Sequence, residues 1–431
     1  MFPANDELSP QAERVTLPCG AATLTGLRRH GVMRFGALRY AQAPVGRLRF
    51  APPVPASLHG EVDATGTGPV APQLPSALAR VLGPSKAPQS EDCLHLSVWT
   101  PGTDAATRPV VVWCHGGAWQ SGGVLNWYDG EALARRGNVV VVGVNARLGP
   151  LGWLLADGGV ANLGLLDLDL AFQWVSDHIG AFGGDATRIT AMGQSAGGTN
   201  VAALLARGAS TFQRAILQSA PLGRGFRSAD AARSIGQKLL RAAGVATLDQ
   251  ARSLPAETLL RAQQAPEVVA TVRELADGHG LFGPVLDGDT LPPLTPQVAG
   301  RVDVLTGWNR DEMRAFTAPG ATPGTTSDET EAERRFAAPA RQWAAHAAQA
   351  GRQAWLYRFD GAPGMPFGAC HCAELPFVFG THDAFASAPM LGSLHADDAR
   401  RLTDDMQTAW LDFIHGRPLP WAAGPPAHVF A

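Results

Sequence analysis

The sequence predicts an α/β fold with an open, mostly parallel central sheet and helices on both of its faces. Continuous apolar runs at 109–114 and 138–145 are typical of strands that are covered on both sides. The segment 168–182 places apolar residues at helical spacing, and such helices alternate with the strands along the chain. A third short apolar run, 189–192, leads directly into a glycine-rich turn and a helix of small residues. This alternation favours a parallel sheet over an antiparallel one.

The composition indicates a large globular protein. The chain has 431 residues, of which 45% are hydrophobic and 17% are charged, and this is enough to bury a substantial core. The formal net charge of −3 gives no sign of a nucleic-acid partner or of an anionic membrane surface. We expect a single domain over residues 1–431, with a helical insert at about 225–300.

The N-terminus and the cysteines suggest a cytoplasmic protein. Residues 1–8 have neither a basic start nor an apolar run, so they do not resemble a signal peptide. No stretch approaches the roughly 20 apolar residues that a bilayer span requires. An odd number of scattered cysteines without an export signal favours free thiols in a reducing compartment. These cysteines are Cys19, Cys93, Cys114, Cys370 and Cys372.

The remaining elements can be predicted in chain order. Residues 14–40 alternate polar and apolar positions with frequent glycine, which predicts an antiparallel meander. Residues 41–90 are rich in proline and glycine and should form a long irregular segment on the surface. The other expected elements are strands at 94–99, 215–220, 302–308 and 353–359, a helix over 196–206, a helix-rich insert over 229–270, a long alanine-rich helix over 329–350 and a closing helix over 399–414.

The turn at 193–197 is the first candidate functional feature. It has the pattern G-x-S-x-G, with Ser195 at the apex between a predicted strand and a predicted helix. A serine on such a strained turn holds its hydroxyl clear of the backbone, and the helix N-terminus behind it offers free N–H groups to a developing negative charge. An ordinary turn serine would match the same letters, but the flanking strand and helix favour a nucleophile.

A serine nucleophile needs a base, and the base needs an acid that fixes its tautomer. In α/β-hydrolases the chain order is serine, then aspartate or glutamate, then histidine. Glu312 follows a predicted strand and so lies at a carboxyl end, where open α/β sheets place their sites. Taken alone, Glu312 would be better interpreted as a solvated loop carboxylate beside Asp311. His371 follows the strand that ends at Phe359, but it is one of 12 histidines.

Eight blocks of the sequence resemble, in the same order, those of type-B carboxylesterases. This family includes bacterial para-nitrobenzyl esterases, liver carboxylesterases and cholinesterases. The blocks cover most of residues 24–415, and the resemblance implies an α/β-hydrolase fold and ester hydrolysis. The eight blocks are residues 44–50, 91–94, 115–119, 162–167, 182–185, 193–198, 307–312 and 371–380.

The resemblance also implies roles for individual residues, carried over by matching position. Ser195 matches the nucleophile, Glu312 the acid and His371 the base. Two further matches lie beside the catalytic centre. Ser219 resembles a serine near the catalytic histidine, although a plain strand-end serine is an equally good interpretation. Gln194 stands where the family usually has glutamate, which removes a negative charge and argues against cationic choline esters.

An oxyanion hole is implied by the glycine-rich segment that follows the run at 109–114. The matching backbone N–H groups belong to Gly117, Ala118 and Ala196, and a simple glycine-rich hinge is the alternative. Cys370-His371-Cys372 could suggest a metal site instead. No second Cys/His pair stands at zinc-finger spacing, so we expect no metal and no cofactor.

Other positions bear on stability and redox state. Arg49 and Glu91 match a buried ion pair of the family. The family cysteine expected near Ala71 is absent, so Cys93 should be free. Cys372 stands where glycine is common.

The largest departure from the family is length. Glu312 and His371 are 59 positions apart, which is short for the family and predicts a reduced helical cap over a shallower, more open pocket. We therefore expect a preference for small or medium acyl esters. Two alternatives remain open: a catalytically inactive binding module on the same fold, and a hydrolase whose natural bond is an amide, carbamate or lactone. The expected partner is a small-molecule ester, and both monomer and dimer are compatible with the sequence.

Overall fold

A twelve-stranded sheet forms the centre of the protein. The structure is a computed structural model that describes residues 12–276, 278–317 and 325–431. Two further short strands, β10 and β11, pair with each other outside this sheet. The strands are β1 (Glu13–Cys19), β2 (Ala21–Arg29), β3 (Val32–Arg39), β4 (His59–Asp63), β5 (His95–Thr100), β6 (Arg108–Cys114), β7 (Val140–Val144), β8 (Gly184–Gln194), β9 (Arg214–Gln218), β10 (Arg227–Ser228), β11 (Val285–Leu286), β12 (Asp303–Asn309), β13 (Ala354–Phe359) and β14 (Gly424–Phe430).

The sheet is antiparallel at its beginning and parallel elsewhere. Its spatial order is β1-β2-β3-β5-β7-β6-β8-β9-β12-β13-β14, with β4 paired to β2. Strands β1, β2, β3, β5 and β7 pair antiparallel in succession, whereas every pair from β7–β6 to β13–β14 is parallel. The predicted fold class is therefore confirmed, including the antiparallel start.

Helices connect the strands and cover both faces of the sheet. The α-helices are α1 (Ala79–Leu82), α2 (Glu131–Gly137), α3 (Gly149–Trp153), α4 (Leu163–His178), α5 (Ala196–Arg207), α6 (Ala229–Ala242), α7 (Leu248–Ala251), α8 (Ala256–Ala262), α9 (Pro266–Leu275), α10 (Pro296–Ala299), α11 (Thr326–Ala332), α12 (Ala338–Gln349), α13 (Leu375–Phe379) and α14 (Ala396–His415). Short 3₁₀ turns lie at Gly46–Leu48, Asn126–Tyr128, Ile179–Phe182, Leu222–Arg224, Glu312–Ala315 and His382–Phe385.

Side chains of the central strands alternate between two hydrophobic cores. In β6, Val110 and Val112 enter the core shared with α4, α5 and α12, while Val111 and Trp113 enter the core shared with α2, α13 and α14. Because successive strand residues point to opposite faces, a strand buried on both sides must be apolar throughout. This explains why β6 reads as a continuous apolar run.

The carboxyl ends of four neighbouring parallel strands form one edge of the sheet. In the strand register, Cys114 at the end of β6 lies beside Gly193, and Gln194 at the end of β8 lies beside Gln218. Gln218 in turn lies beside Gly307 in β12. The segments that leave these strands therefore start close together, which is where open α/β sheets assemble their sites.

Three elements differ from the sequence-based expectation. The predicted helix over 329–350 is interrupted by a π-helical turn, Glu333–Ala337, because Pro339 at the start of α12 lacks an N–H and its ring disturbs the preceding turn. Strand β4 lies within 41–90, which was expected to be an irregular surface segment. It is exposed at most positions, so its sequence does not alternate between polar and apolar residues. Strand β14 contains Pro425 and Pro426, which argue against a central strand but are tolerated at the sheet edge that β14 occupies.

The matched ion pair Arg49–Glu91 is present. Arg49 Nε donates to Glu91 Oε2 at 2.7 Å, and Arg49 Nη2 donates to Glu91 Oε1. The same guanidinium donates to the carbonyls of Arg252, at 2.9 Å, and Leu254, at 2.5 Å. Arg49 thus joins the proline-rich segment to the end of α7.

No helix within the described residues is both long enough and apolar enough to span a bilayer.

Candidate active site

Ser195 occupies a strained turn between β8 and α5. Its φ of 55° and ψ of −123° are unusual for a residue with a side chain. Its backbone N–H donates to the Gln218 carbonyl at 2.8 Å, which ties the turn to β9. A Cβ on Gly193 would lie 2.4 Å from the Gly197 carbonyl carbon, and a Cβ on Gly197 would lie 1.9 Å from the Cys114 oxygen. Both flanking glycines are therefore required by close backbone contact.

Glu312 and His371 form a fully buried pair. Imidazole Nδ1 lies 2.5 Å from Glu312 Oε2, and both side chains are 0% exposed. The other carboxylate oxygen of Glu312 accepts from the Asn309 backbone N–H at 2.9 Å. Because the carboxylate accepts the Nδ1 proton, the neutral imidazole carries its lone pair on Nε2. The structure brings together these two predicted residues, which lie far apart in the sequence.

The Nε2 atom of His371 faces Gln194. The Gln194 amide nitrogen lies 3.3 Å from it and also 3.3 Å from Cys372 Sγ. In the described part of the chain, no hydrogen bond joins the Ser195 hydroxyl to His371. The imidazole is therefore held at both nitrogens, by Glu312 on one side and by Gln194 on the other.

Two aromatic rings cover the His371 imidazole. The Phe316 and Phe336 rings lie with their centroids 5.1 Å and 5.2 Å from the imidazole centroid. Phe336 belongs to the π-helical turn and is buried, whereas Phe316 is 43% exposed. The short segment between Glu312 and His371 thus still supplies an apolar cover, and Ser195 itself is only 9% exposed.

The loop after β6 lies directly against the serine turn. A Cβ on Gly116 would lie 2.6 Å from Gln194 Oε1 and 3.3 Å from the Ser195 Cβ. Gly117 and Ala118 both have positive φ, 112° and 53°. Within the described residues, the backbone N–H groups of Gly117, Ala118 and Ala196 make no hydrogen bond. Three free donors are therefore available in the loop and the helix start that flank Ser195.

Trp119 anchors this loop. Its indole N–H donates to Asn200 Oδ1 on α5 at 2.8 Å, and its carbonyl accepts from the Gly149 N–H at 2.7 Å. The loop is thereby fixed to α5 and to the start of α3, which favours a rigid arrangement of its N–H groups.

Ser219 lies behind the site without a side-chain partner. Its φ is 45° and its N–H donates to the Gly307 carbonyl at 2.9 Å. Its hydroxyl is buried and has no hydrogen bond among the described residues. The structure therefore does not join Ser219 to His371 by a hydrogen bond.

A second buried carboxyl group, that of Glu374, lies beside the Glu–His pair and is not among the residues predicted from the sequence. Its two oxygens accept from Asn309 Nδ2 at 2.7 Å and from Gln218 Nε2 at 3.2 Å. Burial raises the pKa of Glu374; the hydrogen bond from Asn309 opposes the rise and the nearby charge of Glu312 adds to it. The signal was available, because Glu374 lies in the matched block three positions after His371, but only the structure shows that Asn309 bonds both carboxylates.

The cysteines on either side of His371 are buried free thiols. Burial raises the pKa of the thiols of Cys370 and Cys372 well above the usual range. Both are therefore held protonated, which makes them poor nucleophiles and poor metal ligands.

The sheet, the strained serine turn and the Glu–His pair at the carboxyl edge together define an α/β-hydrolase. Comparison with known proteins identifies the family. The family model for the carboxylesterase family matches residues 11–336. The chain therefore belongs to the carboxylesterase family and is a carboxylic ester hydrolase.

Relatives with known names cover nearly the whole chain. It is 38% identical to a probable N-octanoylanthranilate hydrolase of Rhodococcus erythropolis, over 94% of this chain and 93% of that protein. It is 35% identical to the para-nitrobenzyl esterase of Bacillus subtilis, over 94% and 90%. A solved structure of a thermophilic para-nitrobenzyl esterase superposes with a TM-score of 0.83 at 32% identity, covering 96% of this chain and 94% of that one.

Proposed function

We propose that this esterase is a serine hydrolase that cleaves small to medium acyl esters through an acyl-enzyme intermediate. Ser195 is the nucleophile, His371 the general base and Glu312 the acid that orients it. The observation that carries the proposal is the 2.5 Å contact between Glu312 and His371 Nδ1, because it places the lone pair of the neutral imidazole on Nε2, the atom that has to accept the proton.

In the first half-reaction, His371 Nε2 takes the hydroxyl proton of Ser195 while the oxygen attacks the ester carbonyl. The new oxyanion accepts hydrogen bonds from the free N–H groups of Gly117, Ala118 and Ala196. The tetrahedral intermediate then collapses, and His371 gives its proton to the departing alcohol. Gln194 must release Nε2 before the first step, since one lone pair cannot serve both groups.

In the second half-reaction, a water molecule takes the place of the alcohol. His371 accepts a proton from the water, whose oxygen attacks the acyl carbon. Collapse of the second intermediate returns the proton to Ser195 and frees the carboxylic acid.

A panel of p-nitrophenyl esters from acetyl to dodecanoyl tests this proposal. We expect the highest kcat/KM among the shorter acyl chains and a loss of at least about 10⁴-fold in kcat for Ser195→Ala. Ser253→Ala is a matched control, since Ser253 lies on the exposed surface after α7 and bonds only locally. Unchanged activity in Ser195→Ala would refute the assignment, and a rate maximum at dodecanoyl would refute the chain-length preference.

A fluorophosphonate probe distinguishes this enzyme from an inactive binding module on the same fold. Labelling should appear as a mass shift on the peptide that contains Ser195. Absence of labelling in the folded protein would favour the binding module.

An amide is a second candidate for the natural bond. The Rhodococcus relative is named for hydrolysis of N-octanoylanthranilate, which is an N-acyl amide. The same three side chains would serve both bonds, because His371 can protonate an amine as well as an alcohol. The anilide N-phenyloctanamide, with phenyl octanoate as its matched ester, tests this: turnover of the anilide that Ser195→Ala abolishes would support the amide, and turnover of the ester without any turnover of the anilide would exclude it.

A further inference from the structure

Three arginines form a basic cluster beside the π-helical turn. Arg224 ends the 3₁₀ turn after β9, and Arg334 and Arg335 lie in the π-helical turn. Glu331 is the carboxylate that pairs with the latter two. It accepts two bonds of 2.8 Å from Arg334 and one from Arg335. Both of its oxygens are therefore occupied by these two side chains.

No carboxylate among the described residues pairs with Arg224. It is partly buried, its Nε is fully buried, and its guanidinium makes no hydrogen bond within the described residues. Burial is the main cause that lowers the pKa of Arg224 to about 10; the charges of Arg335 and Arg334 contribute to the lowering, and the charge of Glu331 opposes it. The group is still charged at neutral pH, so a cation is held in a partly desolvated place, and no carboxylate of the described chain forms an ion pair with it.

The cluster lies at the rim of the catalytic site. A Cβ on Gly223 would lie 1.9 Å from the Arg334 carbonyl oxygen, so the turn that carries Arg224 packs directly on the π-helical turn. Phe336, the residue after Arg335, contacts the His371 ring with centroids 5.2 Å apart. The turn at 222–224 also follows β9 at the carboxyl edge of the sheet, beside the serine turn.

From this arrangement we propose that Arg224, supported by Arg334 and Arg335, binds a carboxylate of the substrate, so that the preferred substrates are anionic esters. The inference rests on the proposed serine esterase. A guanidinium presents paired N–H donors that match the two oxygens of a carboxylate, and such charge-assisted bonds are strongest in a partly desolvated site. A bound carboxylate would also relieve the repulsion among the three arginines.

The carboxylate can belong to either part of the substrate. Phenyl hemiglutarate carries it on the acyl part, and 4-butyryloxybenzoate carries it on the leaving group. Their neutral partners are phenyl 4-carbamoylbutyrate and 4-butyryloxybenzamide. The pair with the larger charged-to-neutral ratio of kcat/KM identifies the part that faces Arg224.

Substitution of Arg224 tests the proposal. For at least one pair, the wild-type enzyme should prefer the anionic member, and Arg224→Gln should lower kcat/KM for that member by about tenfold or more while the neutral member changes less than about twofold. Arg224→Lys should retain part of the preference. The surface substitution Arg135→Gln, on the exposed side of α2, serves as the matched control.

Two outcomes would overturn the inference: no preference for either anionic ester in the wild type, or an equal loss on charged and neutral esters in Arg224→Gln. Both leave ester hydrolysis intact. Failure of the proposed function has a different signature, namely that the wild type turns over neither the charged nor the neutral esters.

Discussion

The side-chain amide nitrogen of Gln194 lies 3.3 Å from His371 Nε2, the atom that would take the proton of Ser195. The residue next to the proposed nucleophile therefore contacts the proposed base directly. The same amide nitrogen also contacts Cys372 Sγ. The availability of the imidazole lone pair thus depends on the side chain at position 194.

The substitution Gln194→Glu should shift the pH dependence of activity. A buried carboxylate facing Nε2 stabilises the protonated imidazole, so the acid limb of kcat/KM should move to higher pH by about one unit. Gln194→Met keeps the size of the side chain without a charge and removes the donor to Nε2, so that limb should move less than in the glutamate variant. Superimposable pH profiles for the glutamate variant and the wild type would show that position 194 does not act on the base.

Removal of the Glu374 carboxyl should change how stability depends on pH. Burial raises the pKa of Glu374, so the stability that this group contributes is present below the ordinary glutamate pKa and is lost as the pH rises through the raised value. Relative to the wild type, Glu374→Gln should therefore be least favourable near about pH 4 and gain stability toward about pH 8. Urea unfolding of both proteins at the two pH values measures the difference. A constant difference in the free energy of unfolding would contradict the prediction.

The contact between α5 and β6 leaves no room for a side chain at position 197. Because a Cβ on Gly197 would lie 1.9 Å from the Cys114 oxygen, Gly197→Ala must displace backbone and should cost about 1–3 kcal/mol or more. The displacement would also move the Ala196 N–H, so kcat should fall as well. Gly180→Ala is the control, since its added Cβ meets nothing within 4 Å. Thermal unfolding and esterase assays on both variants test this, and equal stability of the two would disprove the steric argument.

The Arg49–Glu91 pair should be costly to break on one side. The two side chains are only 9% and 16% exposed, so Arg49→Leu leaves an uncompensated carboxylate and should destabilise the protein by about 3–5 kcal/mol. The double variant with Glu91→Leu should lose less than the sum of the two single variants. The exposed pair Arg14–Asp63 gives the comparison: it is 3.7 Å apart and 63% and 65% exposed, so Arg14→Gln should cost less than about 1 kcal/mol. Chemical denaturation yields all four values.

Much of the fold could be predicted from periodicity alone. The sequence predicts a strand at 109–114, and β6 spans Arg108–Cys114. It predicts a closing helix over 399–414, and α14 spans Ala396–His415. These elements have strong signals because their burial pattern repeats regularly. The prolines of β14 argue against a strand, and they are tolerated only because β14 lies at the edge of the sheet. That place is a property of the assembled sheet and not of the segment.

The candidate site also combines features that the sequence predicts with features that it does not. Glu312 and His371 could be selected because each stands in a recognisable block, and the structure brings them into contact. The contact of Gln194 with His371 depends on two side-chain rotamers and could not be predicted. The hydrogen bonds of Asn309 to two carboxylates depend on where the chain places Glu374, just before α13, relative to the end of β12. The catalytic roles themselves stay predictions until the substitutions are made.

The three unused donors around the serine turn are main-chain groups, which has a consequence for engineering. Replacing the side chain of Ala118 or Ala196 with any residue other than proline keeps the donor itself in the chain. Libraries that vary the substrate cavity can therefore sample position 118, where the φ of 53° favours glycine or asparagine, without deleting a donor. In the proposed mechanism, substrate selectivity would depend on the side chains and oxyanion binding on the main chain of the same residues, so the first can be changed while the second is kept.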